Sequence, residues 1–239
     1  MDIRTWLHGK ATKINYVKML ILAIGILILG IIFAGAFYQL PFSFLTTQIS
    51  DLGMRPTNPV GSWIFTVAFI FAGIIIAPHA FYFYEILQPD AKRVSKLSAA
   101  CIFVAGIGLA GVGIFQAGLF DPVHDTVSVM AFGGIGLSCF LSIVPIRKKM
   151  KQNAPWPKLW QVILFYGQFI VVIIITAIVV TTASTNIFDP TYAFYPGVPI
   201  DYSYYPLGWP PCEWSLLFSA IFWAFGLILM SPNKKINEK

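Results

Sequence analysis

Side chains able to move protons occur at few places in an otherwise apolar chain, and one of these places is a short run that begins at His124. Ser128 follows four residues later, so a helix would put both side chains on one face. Asp125 lies about 100° further round the same helix. A histidine beside carboxylates can donate or accept a proton near neutral pH, so this run is a candidate for general acid-base chemistry.

Other polar residues stand where the neighbouring apolar stretches end. They are Ser50 and Asp51, Gln116 and Asp121, and Glu213. Ionisable groups in a membrane protein are costly unless they are paired or hydrated, so these residues are candidates for a functional site. The residues predicted to carry the chemistry are His124, Asp125, Asp51 and Glu213. Those predicted to bind the ligand around them are Ser50, Gln116, Asp121 and Ser128.

Each acidic residue also has a structural interpretation. Asp121 stands directly before a proline in a pattern typical of a helix N-cap. Asp125 and Glu213 fall in first turns, where negative charge complements the helix dipole. Asp51 could pair with Arg55 instead of binding a ligand. The sequence leaves the structural and the functional interpretation open.

A metal centre needs several ligands close together, and the chain has three histidines and three cysteines. The histidines are spread over the predicted topology, which excludes a tri-histidine zinc site, and no CxxC pair is present. A site that combines His124 with nearby carboxylates stays open, although no HxxxH or HExxH spacing supports it. No metal site is predicted, and no motif identifies a cofactor.

The elements that must position these residues are long apolar stretches. Of the residues, 57% are hydrophobic and 11% are charged, whereas soluble domains carry about 25% charged residues. A water-soluble core cannot absorb this excess, so we predict a single all-α integral membrane domain. The net charge of +6 comes from basic clusters between the apolar stretches, which does not indicate nucleic-acid binding.

Six stretches are long enough to cross the hydrocarbon core as helices, which takes about 20 mostly apolar residues. They cover residues 17–38, 60–87, 97–119, 123–145, 159–183 and 211–230. Continuous apolarity favours a six-transmembrane-helix bundle over a barrel, whose strands would alternate in polarity. Pro78 should kink the second span, and His79 beside it is expected to hydrogen-bond within the bundle.

The basic residues predict the orientation of these spans. Fifteen of the sixteen Lys and Arg residues fall in the tails or in the loops after spans 2 and 4, and Arg55 lies on the other side. The positive-inside rule then gives cytoplasmic N and C termini in a multi-pass protein of the cell membrane. The acidic residues and His124 gather at the predicted outer face.

Glycines are dense in spans 3 and 4, so these two spans should approach closely and pack as a tight hairpin. The longest predicted outer loop, residues 184–210, is rich in tyrosine and proline. Its aromatic side chains are expected to lie at the level of the lipid headgroups, and a role as a lid over a site stays open.

Three short motifs resemble sequences of known membrane families. They are Ile49-Ser50-Asp51-Leu52-Gly53 with Asn58-Pro59, Phe120-Asp121-Pro122-Val123-His124, and Cys212-Glu213-Trp214. Together they resemble a widespread prokaryotic family of uncharacterised six-span membrane proteins and the related eukaryotic FRAG/DRAM/SFK-like family. The resemblance implies six helices and a role in lipid remodelling or lipid organisation. It also implies that the site includes Trp214 beside Ser50, Asp51, His124 and Glu213.

The leading hypothesis is a lipid-interacting membrane protein whose outer polar pocket binds a lipid headgroup and takes part in lipid remodelling. If the protein is an enzyme, His124 is the expected general base or acid. A non-catalytic scaffold that docks a protein partner through residues 184–210 is one alternative. A small transporter or channel is another, and it would need polar residues along the bundle axis. Membrane lipids are the expected partners.

Overall fold

The computed structural model describes residues 2–44 and 47–152, the isolated positions 167, 170 and 174, and residues 209–230. These residues form helices and connecting segments, with no strand among them. The α-helices are α1 (Ile3–Leu7), α2 (Lys13–Ala36), α3 (Gly61–Ile76), α4 (His79–Ile114), α5 (Asp121–Ser128), α6 (Gly134–Gln152) and α7 (Trp209–Met230). A 3-10 turn covers Ser50–Gly53, and a π-helical turn, Val129–Gly133, joins α5 to α6.

Within the described part of the chain, four stretches are long and apolar enough to cross a membrane: Lys13–Ala36, Gly61–Gln88, Ala91–Ile114 and Asp121–Lys148. A shorter apolar stretch, Glu213–Ile228, lies in α7. These stretches correspond to predicted spans 1 to 4 and 6, and they confirm a multi-pass, helical membrane protein. Predicted span 5 and the loop 184–210 fall outside the described residues, apart from three positions in span 5 and the last two loop residues, which belong to α7. Six spans and cytoplasmic termini therefore stay predictions.

The second predicted span is built from two helices. α3 ends at Ile76 and α4 begins at His79, because Pro78 lacks the N–H that would continue the hydrogen-bond ladder. The predicted break at Pro78 is thus confirmed. α4 then continues into the third span through a kink at Ala91, whose φ is −160° and whose ψ is 69°.

The third span is shorter than the sequence predicted. Its helix ends at Ile114 instead of residue 119, because Phe115 leaves the helical conformation with ψ of 85°. Gly118, with φ of +79°, then turns the chain towards α5, a conformation that favours glycine. Gln116 therefore lies in the connection between α4 and α5 and not on a helix.

Glycines set the distance between neighbouring helices. A Cβ on Gly108 would lie 2.5 Å from the backbone nitrogen of Ala131, and one on Gly134 would lie 2.7 Å from the Cys101 carbonyl oxygen. The third and fourth spans therefore pack as the predicted tight hairpin. Gly106 brings α4 equally close to Ala77 at the α3–α4 junction, with a distance of 2.7 Å.

The described residues form two apolar cores, one towards each end of the bundle. The core towards the basic residues, which we call the basic-end core, includes Trp6, Tyr16, Ile75, Tyr82, Leu87, Ile146 and Leu227. The other, which we call the loop-end core, includes Ile31, Leu52, Phe65, Leu109, Val127 and Trp214. The loop end itself consists of residues 37–60 and 115–120, and it is the face that the sequence predicts to lie outside.

His79 is part of the basic-end core and is almost completely buried. Its Nδ1 lies 2.9 Å from the Ile75 carbonyl oxygen, and its Nε2 lies 3.2 Å from the Tyr16 carbonyl oxygen. The Tyr16 ring packs edge-on against the imidazole and stacks on Tyr82 at 4.0 Å. The prediction that His79 hydrogen-bonds within the bundle is confirmed.

Many large apolar side chains point away from both cores. They include Ile21, Leu29, Ile32, Val67, Phe71, Ile74 and Leu137, all of them exposed. In water such a surface would be unstable, whereas in a bilayer it would contact lipid acyl chains. The polar groups at the two ends would then lie near the headgroups.

Candidate functional site

The segment that precedes α3 is held in place by one buried amide. The Asn58 side chain donates to the carbonyl oxygens of Ala34 at 2.9 Å and Leu52 at 2.8 Å, and it accepts from the Gly61 backbone N–H at 3.0 Å. This single side chain therefore ties the end of α2, the 3-10 turn and the start of α3 together. The sequence analysis did not identify this role, although an asparagine before Pro59 at a helix start is the signal that could have revealed it.

Two consecutive residues of α7 hold the segment from Thr47 to Ser50. Glu213 Oε2 accepts a hydrogen bond from the Ile49 backbone N–H at 2.7 Å. Its Oε1 lies 3.4 Å from the Ser50 hydroxyl, whose single hydrogen is shared with the nearer Gln48 Oε1 at 3.2 Å. Trp214 Nε1 donates to the Thr47 carbonyl oxygen at 2.9 Å. The structure thus brings together four predicted site residues, Ser50, Asp51, Glu213 and Trp214, which we call the carboxylate group.

Asp51 is the second carboxyl of this group. Its Oδ2 accepts from the Gln48 backbone N–H at 2.8 Å. Burial raises the pKa of Asp51 to about 6, and the hydrogen bond from Gln48 opposes that shift. Asp51 and Glu213 are close enough to repel each other electrostatically.

Neither carboxyl of the group has a basic partner among the described residues. Arg55, which the sequence offered as a partner for Asp51, instead lies over the Trp63 ring, with its guanidinium carbon 4.3 Å from the ring centroid. The negative charge of Asp51 and Glu213 is therefore balanced by backbone N–H groups and a hydroxyl, and not by a cation.

Three aromatic rings adjoin the carboxylate group. Phe42, Phe44 and Trp214 stand nearly perpendicular to one another, with ring centroids 4.9 to 6.1 Å apart. Trp214 is buried, whereas Phe42 is 41% and Phe44 is 56% exposed. The sequence analysis missed these two phenylalanines, and their spacing of two residues just before the Ser50-Asp51 motif is the signal that marks them.

A second set of predicted site residues lies around the turn from α4 to α5, and we call it the histidine group. His124 is buried, and its Nδ1 lies 2.7 Å from the Phe115 carbonyl oxygen. A carbonyl only accepts, so Nδ1 carries the hydrogen in this contact. Among the described residues Nε2 has no hydrogen-bond partner and is left to accept or donate a proton.

Gln116 belongs to the same group and is only 4% exposed. Its Nε2 donates to the Thr66 hydroxyl at 2.9 Å, and that hydroxyl donates to the Gly113 carbonyl oxygen at 2.9 Å. The Gln116 Oε1 is buried and has no partner among the described residues. A buried amide oxygen usually has one, so this position has unused capacity to accept a hydrogen bond.

The three remaining predicted site residues differ from one another. The Asp121 carboxylate accepts a short hydrogen bond from the Gly118 backbone N–H in the preceding turn. The predicted N-cap role is wrong, because α5 begins at Asp121, its N-cap is Phe120 and no described side chain caps it. Asp125 is exposed and Ser128 is half-buried. Asp125 and Ser128 form no side-chain hydrogen bond to another described residue.

The carboxylate and histidine groups rest on the same apolar core. Leu52 and Trp214 belong to the loop-end core together with Val127, and Phe115 packs against it. No hydrogen bond links His124 to Asp51 or Glu213 among the residues described, and no three His, Cys, Asp or Glu side chains there could hold a metal ion. A ligand shared by both groups stays a prediction.

One protein family matches the chain over most of its length. Residues 21–197 match a family model described as a protein of unknown function, DUF998, which confirms the resemblance to a prokaryotic family of uncharacterised proteins. No curated protein and no solved structure matches. The relation to the FRAG/DRAM/SFK-like family stays a prediction. The chain belongs to the DUF998 family.

Proposed function

We propose that this member of the DUF998 family binds membrane lipids at its loop end, through headgroups that carry an ammonium group. The observation that supports this function is the pair of carboxyls, Asp51 and Glu213, which has no cation among the described residues and lies beside exposed aromatic rings. The carboxyls supply charge, the rings supply a cation-binding surface, and the apolar helices supply contact with acyl chains.

Electrostatics gives the first reason for an ammonium ligand. Two partly buried carboxyls in a low-dielectric environment attract a cation more strongly than they would in water. The carboxyls also repel each other, and a bound ammonium relieves that repulsion. Each carboxylate oxygen accepts more than one hydrogen bond, so the backbone contacts of Glu213 leave room for a ligand donor.

The rings of Phe42, Phe44 and Trp214 give the second reason. Aromatic faces attract ammonium groups, and aromatic side chains set at right angles are a common way to recognise choline-like headgroups. The exposure of Phe42 and Phe44 leaves part of their faces accessible. A loop end at headgroup level would present this surface to the polar layer of the membrane.

His124 is the described residue best arranged to take part in lipid remodelling. Its ring is oriented by the Phe115 carbonyl, and its Nε2 is unpaired among the described residues. In this proposal Nε2 removes the proton of a water molecule or lipid hydroxyl, whose oxygen forms a bond to the phosphorus of the headgroup phosphodiester. The bond between phosphorus and the headgroup alcohol oxygen breaks, and Nε2 returns the proton to that leaving oxygen. Replacement of His124 by alanine should leave lipid binding intact and abolish any change in the lipid profile of cells that express the protein.

The binding proposal can be tested by native mass spectrometry of the purified full chain with lipids of one acyl composition. We expect the part of the binding that depends on Asp51 and Glu213 to be larger for phosphatidylethanolamine and phosphatidylcholine than for phosphatidylglycerol. Glu213→Gln and Asp51→Asn should each weaken ammonium-lipid binding about tenfold, the size of one charge-assisted contact. Glu85→Gln is the matched control, because that carboxyl lies in α4 and contacts Gln88 instead.

An equal loss of phosphatidylglycerol binding in the Asp51 and Glu213 variants would contradict the ammonium assignment. Unchanged binding by both the Asp51 and the Glu213 variant would contradict the location of the site. Phe44→Leu should weaken binding of choline lipids more than binding of ethanolamine lipids, because a quaternary ammonium cannot donate a hydrogen bond to a carboxylate and depends more on the rings.

Neither alternative function has a specific observation in its favour. Protein docking through residues 184–210 concerns a segment outside the described residues. A transport path would need accessible polar groups at depth, and His79 has both ring nitrogens against backbone carbonyls.

A further inference from the structure

A short helix at the other end of the bundle forms a distinct surface that the proposed lipid site does not use. α1 covers Ile3–Leu7, and the Asp2 carboxylate caps it by accepting from the backbone N–H groups of Arg4 at 3.1 Å and Thr5 at 3.3 Å. Asp2 is the only acidic residue before α2. Asp2 keeps its negative charge while it caps the helix, and the exposed basic residues Arg4 and Lys10 outnumber it at this surface.

Three contacts fold α1 back onto the bundle. The Trp6 side chain is buried in the basic-end core, and the Tyr16 hydroxyl donates to the Trp6 carbonyl oxygen. Gly9, with φ of +76°, lets the chain turn where a Cβ would lie 2.6 Å from the backbone of Phe81. Contacts with α2 and α4 therefore fix the position of α1 and determine which of its side chains face away from the bundle.

That outer face combines apolar and basic side chains. Ile3 is 63% and Leu7 is 42% exposed, and residues four apart lie on one side of a helix. Arg4 and Lys10 are exposed beside them. A face of this composition suits the boundary between acyl chains and headgroups, where apolar side chains insert and cations remain in the polar layer.

Basic side chains also predominate among the described residues elsewhere at this end of the bundle, where Glu85 is half-buried and hydrogen-bonded to Gln88. Lys92, Arg93 and Lys96 are exposed near the kink of α4, and Arg147 and Lys148 are exposed near the end of α6. Cationic side chains at a membrane surface attract anionic lipids by about 1 kcal/mol each, which corresponds to roughly fivefold in binding. A membrane surface made only of zwitterionic lipids has no net negative charge to attract these residues.

We propose that α1 is an interfacial helix that binds anionic phospholipid headgroups, with Ile3 and Leu7 inserted at the acyl boundary and Arg4 and Lys10 on the phosphates. The occupant of this face is thus the anionic lipid surface itself. This site is separate from the carboxylate group, since it has the opposite charge, selects the opposite lipid class and lies at the other end of the bundle.

Hydrogen exchange of the full chain in nanodiscs tests this inference. In phosphatidylcholine with phosphatidylglycerol, backbone amides in residues 3–10 should exchange at least about fivefold more slowly than in phosphatidylcholine alone, the effect of one basic contact. The difference should shrink at high salt because surface charges are screened. Arg4→Gln with Lys10→Gln should abolish it.

The control is Arg55→Gln, which removes a basic side chain that lies over Trp63 at the loop end, away from α1, and should leave the protection of α1 in place. Equal exchange of residues 3–10 in both lipid mixtures would overturn the inference. So would full protection in the Arg4 and Lys10 double variant. Neither result affects the ammonium-lipid proposal, which is measured with variants at Asp51 and Glu213.

Discussion

His79 and His124 are both buried, but their hydrogen-bonding environments differ. Each ring nitrogen of His79 faces a backbone carbonyl, at 2.9 and 3.2 Å, inside a core of aromatic rings. His124 uses Nδ1 on the Phe115 carbonyl and leaves Nε2 without a described partner. A neutral His79 can donate to only one of its two carbonyls, but both of its nitrogens are enclosed by the fold, whereas Nε2 of His124 is left to accept a proton from a ligand.

The two ends of the bundle differ in charge more than in hydrogen bonding. At the basic end, the Tyr16 hydroxyl donates to the Trp6 carbonyl oxygen, but the indole N–H groups of Trp6 and Trp223 are buried without a described partner. At the loop end, Gln116 Oε1 has no described partner, and two carboxyls have no described cation. The uncompensated carboxyls, and not the unpaired neutral groups, therefore distinguish the loop end as the site for a charged ligand.

The first prediction compares the two histidines directly. His79→Ala should destabilise the protein by about 3 kcal/mol, because it leaves a cavity in the basic-end core and removes hydrogen bonds. His124→Ala should cost about 1 kcal/mol, since it removes one hydrogen bond at the edge of the loop-end core. Thermal unfolding in detergent measures both, and equal losses would remove the distinction between the two residues.

The second prediction concerns the contact between α7 and the loop end. Trp214→Phe keeps an aromatic ring in the cluster but removes the N–H that bonds to the Thr47 carbonyl, so it should cost about 1 kcal/mol. Trp63→Phe is the control, because that ring is exposed and packs under Arg55. If the Trp214 variant is as stable as the Trp63 variant, the hydrogen bond from Trp214 to the Thr47 carbonyl does not hold the segment from Thr47 to Ser50 in place.

The third prediction concerns the effect of Asp51 ionisation on lipid binding at the loop end. Because the pKa of Asp51 is raised to about 6, its carboxyl is largely neutral at lower pH and ionises as pH rises through that value. Because the ionised carboxyl is expected to strengthen binding about tenfold, ammonium-lipid binding should increase about fivefold between pH 5 and 7. Asp51→Asn should reduce this increase in affinity. If the variant keeps the full pH dependence, a residue other than Asp51 causes it.

The linkage to folding has the opposite sign. A carboxyl whose folded pKa lies above its unfolded value of 3.8 favours the folded state while it is protonated. This contribution is lost as pH rises through about 6. Loss of stability and gain of ligand affinity over the same pH range would identify Asp51 as a group whose ionised form is stabilised by the ligand.

Hydropathy and composition predicted which stretches form helices better than they predicted where those helices begin and end. Continuous apolar runs are a strong signal, and four of the predicted spans appear as long helices. The end of the third span was wrong because hydrophobicity continues through Phe115 and Leu119, while the backbone leaves the helix at Phe115. Hydropathy indicates which residues can lie inside the membrane. It does not show where the helix ends, because that depends on the conformation of the turn that follows.

The candidate site was predictable in its residue types and less so in its grouping. Short motifs indicated Ser50, Asp51, Glu213 and Trp214 together, and the structure brings them together through α7. No pattern in the sequence gives the bond between Glu213 and Ile49, since these residues are 164 positions apart. Contacts of that range follow from helix packing, which a single sequence does not specify.

The π-helical turn Val129–Gly133 has a consequence for how His124 is aimed. A π turn holds one residue more than an α-helical turn, and each α-helical residue advances the direction of side chains by about 100°. Deleting one residue here would let α5 and α6 join as a regular helix, and the imidazole would rotate away from the Phe115 carbonyl. The extra residue of this turn therefore fixes the direction in which the His124 side chain points from α5, whatever the orientation of α6 in the membrane.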